Sequence, residues 1–380
     1  MVGRFVLAII IAVSGTASLG DAQWSAPPAP NGQWSMFMNG PLRHGWTPAV
    51  GAQSSHLTWR IPTETNGGGP VIGRDGTIYQ GTDYGQLLAI RPNGTTKWIL
   101  TVPRYRVNST PAILQDGRIA FVDEGGTIYV VNPDGTPSWK YDTGTPCGCD
   151  TDPAIGVDGT IYTGIDQTVY AFHPDGSIRW TYQVGQSITG SVAVRPDGVV
   201  YFPSGYLVAL NPNGTLLWHS ADYLGLGGAP AIGNDGTIYV NAHDPVFYAF
   251  DADGNIKWSY RAGDCCGADV PSSPAIGPDG TIYVGETVLD DGMMLALTPA
   301  GSVLWAAHHG AYPTAPAIGG DGLIYFGTNS PASVYALRPN GTLRWRYDDS
   351  GYVRTPPAVG LGRRVYSGSL TGLFGIGPDR

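Results

Sequence analysis

Charge is scarce in this sequence: 13% of its 380 residues are Asp, Glu, Lys or Arg, against about a quarter in an average soluble domain. The surface must therefore be covered largely by Gly, Ser, Thr, Asn and aromatic edges. Lys and Arg total 21 against 30 acids, for a net charge of -9, and no run of basic residues occurs. That balance excludes a groove that tracks phosphates, so nucleic acid is not an expected partner. After the first two dozen residues no apolar run approaches the roughly 20 residues needed to cross a bilayer. The seven His are scattered, and no GxSxG elbow, HExxH pair or phosphate-binding loop is present, which removes the commonest hydrolase, metalloprotease and nucleotide-binding readings.

The one long apolar run is N-terminal. MVGRFVLAIIIAVSGTASLGDAQW sets an Arg before an apolar stretch and ends in small residues, the pattern of a secretory signal peptide. Cleavage after Ala22 or Ala17 fits, and no Cys lies there to receive a lipid. Residues 1–22 are thus expected to be a signal peptide and residues 23–33, rich in Ala, Pro and Gly, a flexible leader. From Trp34 to Arg380 no linker interrupts the chain, and one domain is expected.

That domain is repetitive. PAIGVDGTIYTG starts at Pro153, PAIGNDGTIYV at Pro230, PAIGPDGTIYVG at Pro274 and PAIGGDGLIYFG at Pro316. Looser copies start at Pro70, Pro111, Ser191 and Pro357, giving a period of about 40 residues, the range of solenoids and propellers. Within a unit four short, alternating, β-branched or aromatic runs are separated by Asp-Gly or Asn-Gly pairs. Pairs such as Asp158-Gly159 and Asp175-Gly176 read as two-residue hairpin turns with positive φ. Four antiparallel strands per unit make a propeller blade. The last unit stops after its third strand, while HLTWRIP around Trp59 matches the fourth strands around Trp98, Trp139, Trp180, Trp218, Trp258, Trp305 and Trp345. Eight unit starts and eight such Trp predict an all-β, eight-bladed propeller of four-stranded antiparallel blades. The N-terminal strand completes the last blade and closes the ring. The repeated Trp reads as a ring wedged between sheets with its N–H on a backbone acceptor.

The repeat, with the opening segment WSMFMNGPLRHGWTP, resembles the PQQ-repeat, or quinoprotein-like, β-propeller family. That family includes quinone-dependent dehydrogenases and non-catalytic relatives such as the bacterial outer-membrane assembly propeller. The dehydrogenases' docking motif has the form AxDxxxGxxxW. Here the run from Ala171 through Asp175 and Gly176 to Trp180 is one residue shorter and carries a Pro-Asp-Gly turn, which suggests a structural lineage of the repeat. The dehydrogenases' calcium-holding Glu, Asn and Asp set does not map onto this chain residue by residue.

Between each Trp strand and the next unit start the sequence varies most, and these segments should meet on one face at the channel mouth, where a site is expected. All four Cys lie there, Cys147 with Cys149 and Cys265 with Cys266. Three disulfide connectivities are possible; the separation of the two segments by three blades favours the local pairs. The resemblance gives the vicinal pair Cys265-Cys266 a second meaning, because such a disulfide accompanies the quinone in the dehydrogenases. The ligand-face candidates are Asp264, Cys265, Cys266, Asp269, His308, His309 and Tyr312. No metal site is expected. The loop acids Asp150, Asp152, Asp264, Asp269, Asp348 and Asp349 read as solvated. Asn93, Asn108, Asn213 and Asn340 head glycosylation sequons, three of them in the repeated turn.

These features predict a secreted or periplasmic, non-catalytic binding or assembly scaffold with a protein or glycan partner on the variable face and no cofactor. The alternative is a quinone-dependent alcohol or sugar dehydrogenase with PQQ and calcium. A third reading is a glycan-binding or surface-filament subunit that self-assembles.

Overall fold

The computed structural model describes residues 34–146, 151–243, 246–261, 272–288 and 291–378. The expected signal peptide and leader lie outside them. Short runs of β-branched and aromatic residues punctuated by glycine turns build eight four-stranded antiparallel sheets among the described residues. We number these blades 1 to 8 by their inner strands: Val71–Ile72, Ala112–Ile113, Ala154–Ile155, Ala193–Val194, Leu226–Ile232, Ala275–Ile276, Ala317–Ile318 and Ala358–Gly360. In blade 4 the position held by proline elsewhere is taken by Val192, one residue after the start read from the sequence, because Ala193 pairs with Tyr201 as Ala154 pairs with Tyr162.

Ring closure is as the repeat count implies. The outer strand of blade 8 is Leu57–Ile61, which pairs with Gly372–Ile376 through Trp59 opposite Gly375 and Ile61 opposite Leu373. The repeated Trp then ties each blade to the next. Trp59 Nε1 donates to Pro92 O at 3.0 Å, Trp98 to Pro133 O at 2.9 Å and Trp139 to Pro174 O at 3.0 Å. The series continues through Trp180, Trp218, Trp258 and Trp305. Blade 8 has no connection between its third and fourth strands, so Trp345 of blade 7 uses Ala52 O instead, at 2.9 Å. The apolar ring fills the space between blades while its N–H finds the acceptor that burial demands.

The turns differ from the expected two-residue form. Gly156 N donates to Thr160 O and Gly159 N to Gly156 O, and only Gly159 has positive φ, +82°. This is a three-residue hairpin, a type I turn followed by a left-handed glycine, with the Asp158 carboxylate capping Thr160 N at 3.0 Å. In the turn between third and fourth strands the glycine also meets the preceding Trp: a Cβ on Gly135 would lie 2.7 Å from the Trp98 ring, whereas one on Gly185, also at positive φ, meets nothing within 4 Å. Gly185→Ala should cost about 1 kcal/mol from backbone strain alone, and Gly135→Ala about 3 kcal/mol because the ring and its hydrogen bond must also shift. Urea melts of the two variants decide it, and equal losses would show that the Trp latch does not depend on the turn.

Candidate functional site

Because the inner strand runs away from the variable segments, those segments and the hairpins joining second to third strands share one face. There they surround a cavity of about 840 Å³ lined by residues from every blade, from Gly68 and Thr110 round to Thr314 and Pro356.

The opening segment forms the cavity floor. Its backbone carbonyls accept the inner-strand amides of six blades in turn: Trp34 O from Ile72, Ser35 O from Ile113, Pro41 O from Val194, Leu42 O from Ile232, His44 O from Ile276 and Gly45 O from Ile318. Its apolar side chains join separate interblade cores, Met36 that of Ile155, Met38 that of Ile318 and Leu42 that of Ile232. Phe37 faces the cavity. Arg43 is fully buried. It donates to Val192 O, Phe37 O and Asp152 O, and its guanidinium lies over the Phe37 ring at 5.2 Å. Burial lowers its pKa to about 10, opposed by the Asp152 charge.

Above the floor a belt of side-chain oxygens runs partway round the ring. The residue two before Val71 in blade 1, Ala112 in blade 2, Ala154 in blade 3 and Ala231 in blade 5 gives its amide to the side chain at the same position of the next blade: Gly69 N to Thr110 Oγ1, Thr110 N to Asp152 Oδ1, Asp152 N to Ser191 Oγ and Ala229 N to Ser273 Oγ. At Gly69, Ala229, Ala315 and Pro356 no side-chain oxygen is available and the belt is interrupted. Asp152 also accepts from Ser191 Oγ at 3.0 Å, and burial raises its carboxyl above the usual range against the pull of Arg43. The solvated reading of the loop acids is therefore corrected at two places. Asp152 is 6% exposed. Asp349 is paired with Arg60 at 3.0 Å, its side chain 1% exposed, and the Arg60 and Thr371 bonds hold its pKa low despite burial. Asp348 does remain exposed.

Of the ligand-face candidates, Tyr312 lines the cavity, with φ +57° and its amide on Thr287 Oγ1. His308 ends an outer strand with its side chain outward. His309 stacks on Tyr335 at 5.2 Å, and burial followed by the nearby His308 lowers its pKa. Asp264, Cys265, Cys266, Asp269, Cys147, Cys149 and Asp150 lie outside the described residues. Asn93, Asn213 and Asn340 sit in turns on the opposite face, each Oδ1 holding a threonine two residues on. Asn108 is buried at the mouth, its Nδ2 on Glu124 at 2.8 Å.

Sequence reasoning missed Glu286. It is 5% exposed, lines the cavity, and has no hydrogen-bond partner among the described residues. Burial alone pushes its pKa up to about 8. The available signal was its register: the corresponding residues of other blades are Thr82, Asp123, Ile165, Ser204, Ala242, Thr328 and Ser369, so a glutamate there is out of pattern.

Among the described residues the cavity does not assemble the donors that a divalent cation beside a planar quinone would take. Calcium requires several converging oxygens, commonly including more than one carboxylate. Among the described cavity residues Asp152 is engaged by the belt and Glu286 stands alone, and no group of three His, Cys, Asp or Glu suited to a metal occurs among the described residues.

A family model described as outer membrane protein assembly factor BamB matches residues 43–164 and 165–317. No curated protein sequence matches the chain. Among solved structures, quinohemoprotein alcohol dehydrogenase from Comamonas testosteroni superposes with a TM-score of 0.73 at 12% identity, covering 94% of this chain and 82% of that one. The C-terminal WD40 domain of Sif2 gives 0.69 at 13% identity, covering 86% and 99%. BamB from Moraxella catarrhalis gives 0.59 at 19%, covering 86% and 97%. At these identities the structural likeness shows the propeller fold alone.

Proposed function

Since the chain belongs to the PQQ-repeat propeller family described as outer membrane protein assembly factor BamB, we propose that it is an extracytoplasmic, non-catalytic scaffold that docks a protein on its variable face. One observation carries this reading. The most exposed aromatics among the described residues, Tyr84 at 58%, Tyr223 at 62% and Tyr352 at 48%, all belong to hairpins or connections of the mouth face. Arg104 lies over Tyr105 and Arg354 over Tyr352 beside them. Tyr and Arg round a concave mouth are the side chains that dominate protein interfaces, since each brings a large apolar area and a polar tip. The opposite face presents repeated Asx turns that vary little.

The reading is tested by cross-linking in the native cell envelope: the partner captured by the wild-type chain should be lost from the triple variant Tyr84→Ser, Tyr223→Ser, Tyr352→Ser, with melting unchanged. Capture that persists undiminished overturns it.

The fold family also contains dehydrogenases, and the scaffold reading separates from that alternative by a direct measurement. Purified protein given calcium and pyrroloquinoline quinone should not retain the quinone's near-ultraviolet absorbance through gel filtration, nor reduce a dye with alcohols or aldoses. Stoichiometric retention with dye reduction lost in Cys265→Ser would establish the dehydrogenase.

A further inference from the structure

Blades 2 and 6 place a carboxylate at the same register position, and the two behave differently. Asp123, at the end of Ile119–Val122, is engaged by its own hairpin: Thr127 N donates to Oδ1 at 2.9 Å and Tyr129 Oη to Oδ2 at 3.1 Å. Glu286, within Ile282–Val288, is one methylene longer, receives neither bond, and lines the central cavity instead. An ionised carboxylate buried without a partner is costly unless a counter-charge reaches it.

The surrounding wall shows what that counter-charge must be. In this sector Thr314 Oγ1 donates to Ala315 O and accepts from Gly327 N, which leaves it one lone pair and no free proton. Thr287, which also lines the cavity, accepts at Oγ1 from Tyr312 N. Asn329, also on the cavity lining, carries a buried side-chain oxygen with no hydrogen-bond partner among the described residues. The guanidinium of Arg43 is committed to floor carbonyls beside Asp152. Among the described residues the other titratable groups lining the cavity are His243, Tyr312, Tyr352 and Arg354, and His308 is opposite Met293, the strand partner of Glu286. None of these perturbs the Glu286 carboxyl, whose shift has desolvation as its cause.

We propose that the central cavity is a binding site for a primary alkylammonium group, with the Glu286 carboxylate as its counter-ion and the acceptor-rich wall around Thr287 and Thr314 taking the remaining N–H bonds. An anionic ligand would face a like charge. A divalent metal would need more carboxylates than the described residues of this sector supply, whereas an ammonium carries three donors that neutral acceptors satisfy. The assignment does not depend on what docks at the rim.

Binding requires Glu286 to lose its proton, so ligation and proton release are coupled. With n-butylammonium as the probe, titration calorimetry in buffers of different ionisation enthalpy should show about one proton released per ligand at pH 6 to 7. Affinity should rise about tenfold per pH unit up to about pH 8 and then level off. Glu286→Gln should weaken binding at least tenfold at pH 8 and abolish the pH dependence. Tetramethylammonium, which has no N–H, should bind at least tenfold more weakly than the probe. The proposal is overturned if n-butylammonium shows no saturable binding to the wild-type protein, if binding is indifferent to pH or to Glu286→Gln, or if calcium ion displaces the amine from the site. The pH series on wild-type protein decides the matter even if the variant does not fold.

Discussion

A chain lacking residues 1–62 should lose cooperative unfolding and aggregate, while one lacking residues 1–33 should melt as the longer chain does. The longer deletion removes Leu57–Ile61, so Gly372–Ile376 becomes an open edge in blade 8, and an unpaired strand of this kind is a template for intermolecular pairing. It also removes Trp59 and its bond to Pro92 O, which joins blade 8 to blade 1. Arg60 goes as well, and with it the ties to Tyr347 and Asp349 of blade 7 and the guanidinium over Phe374. Loss of the floor adds a second injury, because six inner-strand amides that donate to residues 34–45 would be stranded in the interior. At about 1 to 3 kcal/mol for each unsatisfied buried group, that sum alone rivals a net stability on the order of 10 kcal/mol. A third deletion, through Ala52, separates the two causes: it keeps the closing strand, and should give a ring that is soluble but melts well below the longer chain. Differential scanning calorimetry with light scattering reads all three. Unchanged melting of the chain lacking residues 1–62 would refute closure by the N-terminal strand.

The architecture was legible because it is written eight times. A Trp at one place in every unit, an incomplete last unit and a stray fourth strand at the start leave one way to close a ring, and Trp59 opposite Gly375 is that closure. The turn geometry was read less well. Asp-Gly is compatible with both two- and three-residue hairpins, and the choice is made by the bulge that lets Gly159 alone take positive φ. The floor was quoted as a family signature, but its role depends on amides from six blades converging on one segment, and sequence spacing does not show that convergence. The belt is harder still. Thr110, Asp152, Ser191 and Ser273 are unremarkable loop residues in one dimension and become neighbours only when the blades are set side by side. Asp152 looked like a solvated loop acid for the same reason. The variable segments do converge on the face where the cavity opens, but the candidates chosen on it were chemically conspicuous Cys, His and Asp residues. Glu286 hid inside a strand whose copies, apart from Asp123, are small, hydroxyl-bearing or apolar at that position, and its register, not its neighbours in sequence, marks it.

Glu286→Gln should stabilise the protein at alkaline pH, by an amount that grows across the neutral range. In the unfolded chain this glutamate titrates near its ordinary value of 4.5, whereas burial in the folded chain raises it to about 8. Between those values the unfolded state has released a proton that the folded state retains, so the wild-type protein loses stability as pH rises through the interval and the loss is complete above the folded pKa. Each unit of separation corresponds to about 1.4 kcal/mol, which puts the effect on the order of 5 kcal/mol at pH 9. Glutamine keeps the shape, cannot ionise, and should remove that slope. Other buried groups titrate too: Asp152, whose carboxyl is raised by burial, adds a slope of the same sign in both proteins. The quantity to compare is therefore the difference between urea-unfolding free energies of variant and wild type at each pH. That difference should be flat below pH 4, climb between pH 5 and pH 8, and plateau above. A saturating alkylammonium ligand should shrink it at pH 8 by supplying the missing counter-charge to the wild-type protein alone. A difference that stays constant from pH 4 to pH 9 would mean that the Glu286 carboxylate already has adequate solvation in the folded ring.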